Sequence, residues 1–394
     1  MRLPGVLTIC AALGAVIDAP AAFTLPAPIG GEPGWRRSDA ALRPTTQPRL
    51  LRRSLPDLHS EAVRECATKG RRSSRTKPRI TPLYVSKLNG MELIAGGTFV
   101  MGSDAAYPEE RPAHRATVDG FWIDRYAVTN AEFAAFIAAT GYVTFAQRPL
   151  DPALYPGADP ALLKPGSAVF RRPNRPVRPR DLRDWWEYVP GTDWRHPDGP
   201  DSTIEGRERE PVVHVAFEDA SAYAAWAGKD LPTEAEWEFA ARGGLDGAAY
   251  CWGDEFTPDG RWMANTWQGE FPWQNQALDG FAGRAPVGAF PANGYGLFDM
   301  AGNVWQWTKD WYAAGHPHDP KRPCCAPRNP RGVAEALSYD LAQTGPRVSR
   351  KVIKGGSYLC APNYCQRYRP AARYPQTIDT TTGHIGFRCV LRET

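Results

Sequence analysis

Two thiols, a serine and three arginines crowd the segment KGGSYLCAPNYCQRYRPAAR, residues 354–373. Cys360 and Cys365 have four residues between them and lie behind a Gly355-Gly356-Ser357 turn; Arg367, Arg369 and Arg373 follow. That spacing permits a disulfide. It also permits a thiolate pair for a soft metal ion, or an open redox dithiol. A closed zinc site is disfavoured, because it asks for four ligands and only two are local. His384, near the end of the chain, reads as a core or rim histidine rather than a ligand.

The surrounding sequence must hold this segment in place. MELIAGGTFVMGS (91–103) reads as strand, glycine turn, strand, and RATVDGFWIDRYAVT (115–129) mixes β-formers with a Gly bend. Thr129-x-x-Glu132 is a capping box, followed by Phe133, Phe136 and Ile137 at helical spacing and a Gly141 stop. This pattern predicts a helix over 130–140. PVVHVAF (211–217) predicts a buried strand, and a helix follows near 219–227. A second capping box, Thr233-x-x-Glu236, opens a helix ending at Gly243-Gly244. KVIKGGSY and IGFRCVL read as closing strands, whereas 145–180 and most of 245–350 show no sustained periodicity. Few helices, short strands and long loops predict one mixed α/β, loop-rich domain over 88–394. The chain has 14 Trp, and such loops need buried aromatic side chains to stay ordered.

Composition separates this domain from what precedes it. Residues 1–22 carry one arginine, an apolar run from Leu3 to Ile17 and an Ala19-Pro20-Ala21 junction. That is the pattern of a secretory signal peptide, too short for a membrane span. Residues 23–87 are Pro- and Arg-rich and predict a disordered linker. The net charge of +4 is misleading: residues 36–79 hold thirteen Lys/Arg against four Asp/Glu, which leaves the remainder near −5. A nucleic-acid partner is therefore not expected. Eight cysteines (10, 66, 251, 324, 325, 360, 365, 389) become seven after signal removal, so they cannot all pair within the chain. No Asn-x-Ser/Thr sequon and no KDEL-type tail occur. The expected compartment is the secretory or endoplasmic reticulum lumen, with a plastid reached by bipartite targeting as the alternative.

GGTFVMGSD, YAVTNAEFAAF, GTDWRHPDGPDS, PVVHVAF, LPTEAEWEFAARGG, NGYGLFDMAGNVWQWTKDW and KGGSYLCAPNYCQRYRPAAR…GFRC occur in this order. Together they resemble the formylglycine-generating enzyme family, the sulfatase-modifying factors, over nearly all of the folded part. LPTEAEWE is shared by the wider superfamily and marks only the fold; the two-thiol segment is more specific. The resemblance implies a fold related to C-type lectin domains. It also implies an oxidase converting a cysteine in a Cys-x-Pro-x-Arg segment of an unfolded sulfatase to Cα-formylglycine. O2 is the implied co-substrate and Cu(I) the implied metal on Cys360 and Cys365. Ser357 is then expected to orient O2 or substrate, and Arg373, Trp305 and Phe290 to line the substrate groove. Arg367 and Arg369 are left as packing or surface ion pairs.

The resemblance implies Ca2+ as well, at two loop-built sites. One comprises Asn265, the Thr266 carbonyl, Asp279 and the Phe281 carbonyl. The other comprises Asp299, the Gly302 and Val304 carbonyls and Gln306, where the usual glutamate has become an amide. Positions that bear bridging cysteines in vertebrate members are Ala224, Ala241 and Pro370 here, so Cys389 lacks its partner. A monomer without a membrane span is expected. The competing class is a non-catalytic peptide- or glycan-binding module on the same scaffold, which would have no need of both thiols beside Ser357.

Overall fold

A computed structural model describes residues 88–177, 181–317, 326–342 and 347–392. The expected signal and linker, and Cys10, Cys66, Cys324 and Cys325, lie outside the described residues. Short strands form four small sheets. One takes the order β1-β4-β11, from Met91–Ile94, Phe121–Asp124 and Val390–Leu391. A second takes the order β10-β7-β8-β9, from Ile385–Gly386, Trp305–Trp311, Arg350–Lys354 and Arg373–Thr377. Two hairpins complete the set: β2 (Gly97–Met101) with β3 (His114–Val118), and β5 (Gly166–Phe170) with β6 (Trp186–Pro190).

The helices form where their caps dictate. α1 (Asn130–Thr140) opens with Thr129 Oγ1 accepting from the Glu132 N–H while a Glu132 oxygen accepts from the Thr129 N–H at 2.8 Å. It stops at Gly141, whose φ of 66° suits a residue without Cβ. Phe133 and Phe136 pack on Trp194 and on Tyr223 of α2 (Phe217–Trp226). α3 (Glu234–Arg242) repeats the capping box and is buried along its whole length. Glu234 and Glu238 lie four apart on that helix, so they present one acidic edge to the sheet below the thiols.

Four expectations change. Residues 211–216 are buried, yet form no strand, only an isolated bridge from Pro211 to Thr129. Their N–H groups bond singly to different loops: Val212 to the Val128 carbonyl and His214 to that of Thr382. Residues 145–180 and 245–350, which show no sustained periodicity, contain β5 and β7. IGFRCVL splits into two short strands that join different sheets. Among the described residues no helix is long and apolar enough to cross a membrane.

Candidate active site

The thiol segment is the connection between β8 and β9. Lys354 pairs with Arg373 across the ladder, so residues 355–372 leave and return at one rung. Both rung residues are anchored beneath by α3. Lys354 Nζ meets Glu238 at 3.0 Å, and Arg373 meets Glu234 at 2.7 and 2.9 Å. Glu238 also takes Arg242 at 2.7 Å. Burial raises the carboxyl pKa of Glu238, but Lys354 and Arg242 outweigh it and hold the group down at about 2. Gly356 has a φ of 70°, and a Cβ there would come within 2.9 Å of the Arg367 carbonyl. Only glycine lets the outgoing and returning chains pass so closely.

Cys360 is buried and Cys365 partly exposed, and both are free thiols with their sulfurs 3.0 Å apart. The Cys360 N–H bonds the Ser357 carbonyl, and the Cys365 N–H closes a turn onto the Ala361 carbonyl. The sulfurs differ in acidity. A hydrogen bond from Cys360, against the opposing cost of burial and with Arg367 nearby, lowers the pKa of Cys365. Burial raises that of Cys360. Arg367 Nη1 lies 3.9 Å from the Cys365 sulfur.

A neighbouring 3₁₀ turn, Pro108–Glu110, straps this segment down. Glu109 pairs with Arg367 at 2.6 Å and the fully buried Glu110 pairs with Arg369 at 2.5 Å. Tyr107 Oη accepts from the Gln366 N–H, and its ring lies 3.9 Å beneath the Arg367 guanidinium. Tyr374 covers that guanidinium at 4.8 Å. Arg367 therefore belongs to the site and is not a peripheral ion pair. Its sequence signal was present: residues i and i+2 of an extended chain share a face, and Arg367 is i+2 to Cys365. Tyr107 and Glu109 are distant in sequence and left no such signal.

The expected groove residues separate. Trp305 is buried in the same cluster as Cys360, Tyr368 and Tyr374, with its ring 6.0 Å from Tyr374. Phe290 is buried against Phe281 at 5.9 Å and is not part of that cluster. Arg373 is fully buried, and its remaining donors reach the Glu109 and Ala313 carbonyls. It has no surface to offer a peptide in this structure. Ser357 is fully buried, its hydroxyl accepting from the Leu359 N–H at 3.3 Å, which places it at the base of the thiol turn. His384 is buried with Nδ1 against Thr382, as a core histidine, and burial holds its pKa down at about 3.

The donor sets answer differently to the implied ions. Among the described residues no three His, Cys, Asp or Glu side chains gather at one point. A soft ion at the thiol pair would thus have two protein ligands, a donor set that fits Cu(I). At the first calcium position Asn265 Oδ1 is buried and bonded to nothing. The Asp279 carboxylate accepts from the Thr266 and Phe281 N–H groups at 3.1 and 3.0 Å, and burial raises its pKa. An orphaned buried oxygen beside a costly carboxylate fits an oxygen-seeking cation. The second position does not fit. Gln306 Oε1 accepts from Trp237 Nε1 at 2.8 Å and Arg388 Nε at 2.7 Å, while its amide nitrogen donates to the Asp299 carbonyl at 2.9 Å. Two donors occupy the amide oxygen and fix its orientation, so the residue standing where a glutamate would ligate has its oxygen already taken and turns its N–H toward the Asp299 carbonyl.

These features define a loop-rich α/β scaffold presenting an open dithiol on a strapped strand connection. Residues 76–393 match the family model described as the sulfatase-modifying factor enzyme 1-like domain. The chain belongs to this FGE-sulfatase family. It is 56% identical over 298 residues to the formylglycine-generating enzyme of Mycobacterium tuberculosis, covering 75% of this chain and 96% of that protein. It is 43% identical over 313 residues to the mouse formylglycine-generating enzyme, covering 78% and 76%. It is also 37% identical over 302 residues to the mouse inactive Cα-formylglycine-generating enzyme 2, covering 75% and 83%. Among solved structures, PvdO from Pseudomonas aeruginosa shares the fold, with a TM-score of 0.51 at 24% identity over 77% of this chain and 94% of that one.

Proposed function

We propose that this chain is an oxidoreductase that converts a cysteine of an unfolded sulfatase to Cα-formylglycine. Cu(I) is held by Cys360 and Cys365, O2 is the co-substrate, and the cysteine is recognised within Cys-x-Pro-x-Arg. The observation that carries the reading is the unbonded thiol pair, one buried and one partly exposed, in a chain whose relatives bear this name. Bound Cu(I) would supply an electron-rich centre able to pass electrons to O2. The protein's part is to hold the two sulfurs and leave a coordination position for the client's thiol, so that binding and positioning coincide. Trp305 and Tyr374 belong to the buried cluster that holds Cys360. The client carbon loses two electrons and a hydrogen to give a thioaldehyde, and water then exchanges sulfide for oxygen. Reduction of O2 to water takes two further electrons from an external thiol reductant. Ca2+ is proposed at the Asn265–Asp279 site, where it has a structural role.

The test is a Cys-x-Pro-x-Arg peptide incubated in air with Cu(I)-loaded protein and a thiol reductant, with the aldehyde trapped as a hydrazone. Aldehyde should form, and Cys365→Ser should abolish it. Copper-loaded wild type that yields no aldehyde, or a serine variant of near-normal rate, refutes the proposal.

A further inference from the structure

We infer that Arg367 is the charge-compensating residue of the thiol pair, and that Tyr107 and Glu109 are positioning residues that aim it at Cys365. The inference rests on the copper reading above and extends it to residues outside the metal's ligands. A monovalent ion between two thiolates carries a net negative charge, and a client thiolate adds another. Placing such a centre in a largely buried setting is costly unless a fixed positive group stands beside it.

Arg367 is built for that task. Its Nε and Nη2 edge is taken by Glu109 Oε1 at 3.1 and 2.6 Å, which leaves Nη1 toward the Cys365 sulfur at 3.9 Å. Its guanidinium lies over the rings of Tyr107 and Tyr374 at 3.9 and 4.8 Å. Edge and plane are therefore both constrained, which a planar guanidinium permits and an ammonium does not. Because Glu109 holds the edge remote from Nη1, the sulfur meets the positive end of the pair first. Arg369 provides the internal contrast. It is bound to Glu110 at 2.5 and 2.9 Å and to the Gln366 carbonyl at 2.9 Å, so its donors are spent away from the thiols. The same strap thus makes two ion pairs, and only one of them turns a free donor to sulfur.

The experiment removes each pair as a neutral unit, leaving no buried charge unpaired. Glu109→Gln/Arg367→Gln is compared with Glu110→Gln/Arg369→Gln and wild type. Cu(I) affinity is read by competition with a colorimetric Cu(I) chelator, and fold integrity by melting temperature. The first double variant should bind Cu(I) about tenfold more weakly, because the near charge of Arg367 is largely offset by the Glu109 charge removed with it. The second should bind as wild type does, although both loosen the same strap. Arg367→Lys keeps the charge without the fork and should fall between, which preserves the test if the first double variant fails to fold. Equal losses in both double variants would reduce the strap to mere docking and overturn the inference, as would undiminished binding in the first. A wild type that takes up no Cu(I) removes the copper reading itself, and is recognised because no variant then differs from it.

Discussion

Replacing Arg373 distinguishes a groove arginine from a buried strut. Arg373→Gln removes two bonds to Glu234 and one each to the Glu109 and Ala313 carbonyls. Deleting one partner of a buried pair costs about 3–5 kcal/mol. The low end applies, because Lys354 Nζ remains 3.8 Å from Glu234 as a second counter-ion. Two carbonyls without donors add about 1 kcal/mol, giving a total of about 4 kcal/mol. At about 2 °C per kcal/mol for a domain of this size, the melting temperature should fall by about 8 °C. KM for a client peptide, measured well below the melting point, should stay close to wild type. Glu234→Gln/Arg373→Gln should recover part of the loss, since no charge is then stranded. An unchanged melting temperature with a raised KM would refute the buried-strut argument and return Arg373 to the substrate groove.

Three further outcomes follow from the geometry. Asp279→Ala should abolish the rise in melting temperature that Ca2+ gives wild type; a variant that still responds to Ca2+ would remove the ion from this site. Gln306→Glu turns a carboxylate oxygen where an N–H now points, so it should add a second bound Ca2+ by isothermal titration; wild type that already binds two contradicts the amide argument. Glu238 is depressed from 4.5 to about 2 in the folded chain, so its stabilisation is present above pH 4.5 and lost as pH falls toward 2. The loss should approach about 3 kcal/mol. Denaturant midpoints from pH 6 to 3 should fall more steeply for wild type than for Glu238→Gln.

What the sequence disclosed depended on whether the determining contact was local. Both capping boxes involve residues three apart, and α1 and α3 begin where Thr129 and Thr233 place them. Pro211–Ala216 was legible as buried, but its burial comes from separate loop partners and not from a ladder, a difference that composition does not carry. β5 was hidden because its register is set by Trp186–Pro190, beyond a proline-rich stretch. Within the site, Cys360 and Cys365 were legible as a pair because they flank a turn. The role of Arg373 was not, since its surroundings are made by Glu234, Glu109 and Ala313, each far away along the chain. The exchange at Gln306 was visible, whereas its consequence needed Trp237 and Arg388 in place.

The rung joining Lys354 to Arg373 ties off both ends of the thiol excursion before it begins. A peptide bond severed near Asn363 would leave two stumps, each still moored to α3 by its own buried ion pair. Proteolytic nicking there should silence the chemistry well before the scaffold comes apart.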